Sequence, residues 1–130
     1  QQQTKQLFDV VLIDEAQDIF CANKAFKAVA LEMLDRHIRK GRSKRIGYVI
    51  GVQSADTVPE SILNNLNSRI IHRHNSFEQV RVAANMATED QRRMTNTFGA
   101  GEALVFLIGS NSIVHARMRR SPFMITKEAL

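Results

Sequence analysis

One cysteine, two prolines, six glycines, one tyrosine and no tryptophan are found in 130 residues, and each scarcity closes a class of protein. A lone Cys21 can form no internal disulfide and has no second thiol with which to build a zinc site; it reads as a small apolar residue, buried or half-buried. No apolar run approaches the roughly 20 residues that span a bilayer. The opening QQQTKQ lacks the basic-then-apolar plan of a secretory signal. A soluble chain in the cytoplasm, without a membrane partner, is therefore expected. No G-x-x-x-x-G-K-[ST] occurs anywhere, so these residues hold no loop of the kind that cradles nucleotide phosphates. The first residue is Gln rather than Met, which reads as a start inside a longer protein.

What is present is ordinary for a folded chain. Apolar residues make up 44% and charged residues 24%, enough for a core and too apolar for whole-chain disorder. The net charge of +5 is unevenly spread: residues 1–35 hold three Lys/Arg against six Asp/Glu, whereas 36–45 hold six Lys/Arg and no acid. Arg117, Arg119 and Arg120 form a second basic group. Such clusters suit a polyanion, and equally a solvated helix face followed by a basic loop.

The pattern alternates between strand and helix. Phe8–Ile13 is a β-branched and aliphatic run that ends at Asp14 and Glu15, expected as a strand buried on both faces. Phe26, Val29, Ala30, Met33, Leu34 and Ile38 fall at helical spacing on one face, with the helix closing at Gly41. Ile46–Val52 is a second buried strand. Thr57-x-x-Glu60, with Pro59 in the first turn, predicts a capped helix start. Arg69–His72 is a third strand. Ser76-x-x-Gln79 and Thr88-x-x-Gln91 open two more helices, the first with Phe77, Val80, Ala83, Ala84 and Ala87 as its apolar side. Ala103–Ile108 and Ser112–Arg117, joined through Gly109-Ser110-Asn111, read as a hairpin. This order predicts an α/β fold in one unit over residues 1–130, a parallel sheet with an antiparallel addition at its end.

Asp14 and Glu15 carry the most chemical content. They sit at the carboxyl end of a buried strand, where ligands bind open α/β sheets. An aspartate there can hold Mg²⁺ through water, and a neighbouring glutamate can polarise a water for attack on phosphorus. Alone, the pair fits a plain strand end equally well. Gln53, at the tip of the next strand, can donate and accept hydrogen bonds at once, or simply cap the turn that follows. His72 and His74 lack a third ligand at suitable spacing and read as a strand-edge pair near solvent.

Taken together, VVLIDEAQD, then GRSKRIGYVIGVQSADTVPESILNNLNSRIIHR, then GEALVF resemble in order and spacing the HerA/FtsK superfamily of hexameric ATPases, over residues 8–120. Within it the segments look closest to HerA-like and conjugative VirB4-like proteins. The resemblance implies the carboxy-terminal part of a RecA-like P-loop NTPase domain, mostly parallel with helices on both faces and a terminal β-hairpin. Asp14 matches the Walker B aspartate, bound to Mg²⁺ through water, and Glu15 the catalytic glutamate. Gln53 matches the residue that senses the γ-phosphate of ATP. Arg42 lies in the segment that most resembles the arginine a subunit inserts into its neighbour's site, with Arg69 and Arg73 as alternatives.

Implied partners are double-stranded DNA, further copies of the chain in a hexameric ring, and a nuclease. A secretion or conjugation ATPase, and a non-catalytic α/β assembly or nucleic-acid-binding module, are the competing readings. Lacking the phosphate loop, the isolated chain is expected neither to bind ATP tightly nor to hydrolyse it. The strand bearing that loop packs beside the Walker B strand in RecA-like sheets, so self-association of the isolated chain is expected.

Overall fold

The computed structural model describes residues 9–21 and 23–122. Phe8, expected to begin the first strand, lies outside them. Contacts divide the chain into two compact units, 1–67 and 68–130.

In the first unit, β1 (Asp9–Ile13) pairs in parallel with β2 (Ile46–Ile50), Asp9 opposite Ile46 and Ile13 opposite Ile50. A short helix α1 (Gln17–Phe20) and a long one, α2 (Lys24–Lys44), connect them. The α2 helix starts where Asn23 Oδ1 accepts from the Phe26 backbone N–H at 3.1 Å, satisfying one of the orphan donors of a helix start. It carries Glu32–Arg36 and Asp35–Arg39 ion pairs at i,i+4 spacing, the first exposed and the second with Asp35 half-buried.

The helix does not close at Gly41. It continues to Lys44 and is capped by Arg45 in the left-handed region, φ 61°. Gly41 serves another end: a Cβ there would stand 2.8 Å from the Ile46 carbonyl oxygen and 3.0 Å from the Tyr48 ring. Only a hydrogen lets β2 return this close along the helix.

The core of this unit is Ala16, Phe20, Val58 and Ile62, with Ile13, Leu34, Ile38 and Ile50 packed against it. Two expectations fail here. Because side chains alternate along a strand, Ile13 reaches the core while Val10 and Leu12 face the other way and remain 61% and 70% exposed. The strand is thus covered on one face only. Likewise α2 carries two apolar stripes with the same i, i+3, i+7 spacing. Leu31, Leu34 and Ile38 face the core, and Phe26, Val29 and Met33 face solvent. Spacing alone cannot say which stripe is covered. Cys21 is exposed rather than buried, since it lies just past the end of α1, outside the packed turn.

After β2 a single 3₁₀ turn, Ala55–Thr57, leads to α3 (Glu60–Leu63). The expected box does not form: the Thr57 hydroxyl donates to the Ser54 carbonyl instead, and Pro59 takes the N-cap position without a side-chain cap.

The second unit is an antiparallel sheet in the order β3 (Arg69–Ile71), β4 (Glu102–Phe106), β5 (Ile113–Arg117). The third strand therefore pairs with the terminal hairpin, not with the parallel pair, and the described residues hold one parallel pairing and two antiparallel ones. Between β3 and β4 lie α4 (Phe77–Ala83), α5 (Glu89–Met94) and a 3₁₀ turn at Thr95–Thr97. Thr88 and Gln91 form the expected capping box in both directions, at 3.2 and 3.0 Å. Ser76 makes no side-chain cap to α4. Val80, Ala83, Ala84 and Ala87 are buried as the periodicity predicts, together with Phe98, Leu104 and Phe106. Phe77 is exposed. The hairpin turns through Gly109 at φ 81°, a left-handed position that glycine takes at no steric cost.

Candidate active site

Both strands of the parallel pair end at the same rim. Ile13 is opposite Ile50, so Asp14 and Glu15 emerge beside Gly51, and Gln53 follows two residues later. Backbone hydrogen bonds lock the rim: Gly51 N–H donates to the Ile13 carbonyl at 2.8 Å, and Ala16 N–H to the Gly51 carbonyl at 2.9 Å. Asp14 Oδ1 accepts from the Glu15 backbone N–H at 2.9 Å. Its other oxygen has no partner among the described residues. Asp14, Glu15 and Gln53 are all exposed.

Two features were not foreseen from the sequence. Gln17 Oε1 accepts from the Gln53 backbone N–H at 3.3 Å, tying the loop that carries Gln53 to the turn after Glu15. Gly51 is the second: a Cβ there would stand 2.8 Å from Asp14 Oδ1, so glycine leaves the Asp14 carboxylate room to lie where it does. Both residues stand in the quoted segments, but only the pairing register gives them a role.

Glu15 adopts φ 50°. A non-glycine residue held there costs about 1–3 kcal/mol, and such strain gathers at functional sites.

The donor set suits a hard cation: carboxylate oxygens on a rigid element, open to water, which is what Mg²⁺ accepts when it keeps several waters. Among the described residues no group of three or more His, Cys, Asp or Glu is placed to hold a metal. His72 and His74 do not converge; Nδ1 of His74 is 2.9 Å from the His72 carbonyl oxygen, and Nδ1 of His72 is 3.2 Å from that of Glu102.

The arginines separate. Arg42 is exposed in the last turn of α2, just before β2 begins, hence at the amino ends of the strands. Five strand residues, roughly 16 Å at about 3.3 Å each, divide that end from Asp14 and Glu15. The structure does not bring Arg42 to its own chain's acidic pair. Arg69 is half-buried and donates to the Ala83 carbonyl at 2.9 Å and to Asn85 Oδ1 at 3.2 Å; burial pushes its guanidinium below the ordinary arginine value. Arg73 is exposed. Both belong to the second unit.

Near Arg42, a groove of about 420 Å³ is lined by Arg36, His37, Lys40 and Lys44 of α2 and by Ile46 and Tyr48 of β2. Arg36, Lys40 and Lys44 fall at i,i+4 spacing on one side of the helix. No carboxylate among the described residues lines it.

Residues 4–129 match the protein-family model described as helicase HerA-like C-terminal. The pCW3 conjugation coupling protein TcpA, solved in monomer form with ATPγS, is similar in structure with a TM-score of 0.60 at 20% identity. The match covers 83% of this chain and 31% of that one, so the chain spans less than a third of that relative's length. No curated protein matches by sequence. No helix among the described residues is long and apolar enough to cross a membrane.

Proposed function

The chain belongs to the helicase HerA-like C-terminal family, and from that premise we propose that it forms the carboxy-terminal part of an ATP-driven motor that moves double-stranded DNA. The observation that carries the reading is the shared rim: parallel pairing brings Asp14, Glu15 and Gln53 to one edge, where α/β sheets bind ligands.

Asp14 would hold Mg²⁺ through water, with its free oxygen turned outward. When bound, the cation supplies charge neutralisation for the phosphates. Glu15, exposed at a left-handed turn just past the strand, polarises the attacking water. Gln53, held by Gln17, both donates and accepts, and so can bridge a γ-phosphate oxygen and that water.

Arg42 stands at the end of the strands away from the acidic pair, which supports a trans role in a ring, in which one subunit's arginine reaches the neighbour's nucleotide. A hexamer is the assembly the family resemblance implies, and the reading extends to a nuclease working alongside. The basic groove of Arg36, Lys40 and Lys44 supplies sequence-independent phosphate contacts for DNA.

The test is ATP hydrolysis by a motor carrying both a phosphate loop and this chain, wild type against Glu15→Gln, with and without double-stranded DNA. DNA-stimulated hydrolysis should fall by about 10²-fold or more in the variant, the usual share of a general base. Equal rates in the two proteins would make the acidic pair a strand end and leave a non-catalytic binding module as the better reading.

A further inference from the structure

The second unit holds a cleft that the strand-tip site does not use. It encloses about 450 Å³ between the start of α4 and the α5 helix with the turn after it. His74, Ser76 and Phe77 form one wall, and Arg92, Arg93 and Asn96 the other. No carboxylate among the described residues lines it.

Its two arginines differ in circumstance. Arg93 is satisfied: it pairs with Glu89 and its guanidinium carbon lies 5.5 Å from the centre of the Phe77 ring. Arg92 has no hydrogen-bond or ion-pair partner among the described residues, and its Nε is buried without an acceptor. A shielded guanidinium N–H left unpaired is costly, and the cost is removed when an acceptor enters. Around it stand neutral groups able to donate. The Ser76 hydroxyl is not spent on capping α4, and the Asn96 amide is exposed. His74 lines the cleft without adding a donor, because its Nδ1–H is spent on the His72 carbonyl and Nε2 of the neutral ring is an acceptor.

Donors around a cation that no carboxylate hydrogen-bonds describe an oxyanion site; Glu89 acts on Arg92 only through space. The volume exceeds what a carboxylate alone would fill, and Phe77 adds a half-open aromatic wall, 41% exposed, against which a sugar or base can lie. We propose that this cleft binds a nucleoside phosphate, with Arg92 as the anchor of the phosphate group. Arginine's planar fork of donors suits phosphate better than a lysine would. The chemistry is shared by the nucleic-acid backbone and by a free nucleotide. It stands on the second unit's own geometry and is independent of the roles given to Asp14 and Glu15.

The test uses the 130-residue chain and two probes, a fluorescein-labelled DNA duplex read by anisotropy and ATP read by calorimetry. Arg92→Gln should weaken binding of one of them roughly tenfold to a hundredfold, the usual worth of a charged hydrogen bond. Arg81→Gln, which removes an exposed positive charge outside the cleft, should leave that binding near wild type. Loss with duplex alone assigns the backbone as source, and loss with ATP alone assigns a free nucleotide. Equal weakening by both substitutions, or no probe affected by Arg92→Gln, would overturn the proposal. Amide shifts in the wild-type chain give a measurement free of any folding defect. Added probe should move His74, Ser76, Phe77 and Asn96, and shifts confined to residues outside the cleft would also overturn it.

Discussion

At Gly51 the missing side chain matters more than any present one. A Cβ there would stand 2.8 Å from Asp14 Oδ1, and the obstructed atom is the end of a side chain that can swing away, so Gly51→Ala should cost the fold little. It should cost the site much more, because the carboxylate that moves is the one held to the Glu15 N–H and proposed to position the cation. We expect Gly51→Ala to retain a melting temperature close to wild type. In a motor carrying both the phosphate loop and this chain, it should reduce Mg²⁺-dependent ATP hydrolysis at least tenfold, the effect of displacing a positioned group by about 1 Å. Unchanged hydrolysis would mean that Asp14 is not where the cation sits. The same rim shows what single residues reveal in advance. Asp14 and Glu15 drew attention only through the segments that follow them in order and spacing, since an acidic pair ending an apolar run is common by itself, whereas Gln17 and Gly51 look like any glutamine and glycine until register sets them opposite something.

The β4–β5 hairpin is held together by charge as well as by its ladder. Glu102 lies opposite Arg117 in register, and its carboxylate meets Arg117 at 3.1 Å and His115 Nε2 at 3.3 Å, while the His115 ring stacks on Phe98 at 4.8 Å. The Arg117 hydrogen bond, helped by His115 and opposed by partial desolvation, holds the Glu102 carboxyl below the usual range. A depressed folded value means a stabilising contribution that is complete above the unfolded carboxylate pKa and lost as pH falls through the folded one. Glu102→Gln should therefore melt lower than wild type at neutral pH, with the difference closing as pH drops below about 4. Because Arg117 is mostly exposed, the gap should be small. A gap that widens in acid would contradict the account. At this scale the sequence was a good guide where the signal is local: the Thr88–Gln91 box, the hairpin turn at Gly109 and, apart from the exposed Phe77, the apolar side of α4 stand as spacing predicts. It failed where a choice depends on distant partners. Gly41 reads as a stop by composition but acts as a contact point for Tyr48, α2 offers two equivalent stripes, and β3 is too short to announce whether it pairs in parallel or antiparallel fashion.

For the molecule as a whole, the first unit's apolar surface is the feature that most needs an explanation. Val10 and Leu12 on β1, with Phe26, Val29 and Met33 on α2, are open to water, and among the described residues β1 pairs on one edge only. An unpaired edge beside apolar faces is a template for pairing with another chain. On the proposed reading these are surfaces that the phosphate-loop strand and other parts of the motor cover, so apolar residues there are selected for burial in the assembly. Two consequences can be measured together by sedimentation velocity. The 130-residue chain should show a weight-average mass that rises with concentration, and Leu12→Lys combined with Phe26→Glu should return it toward a monomer. Both substitutions lie on surfaces exposed in the isolated chain, so the change in mass should come without loss of cooperative melting. A monodisperse wild-type monomer that melts cooperatively at every concentration would show that these faces are tolerated by water, and the argument that they await a partner would fall with it.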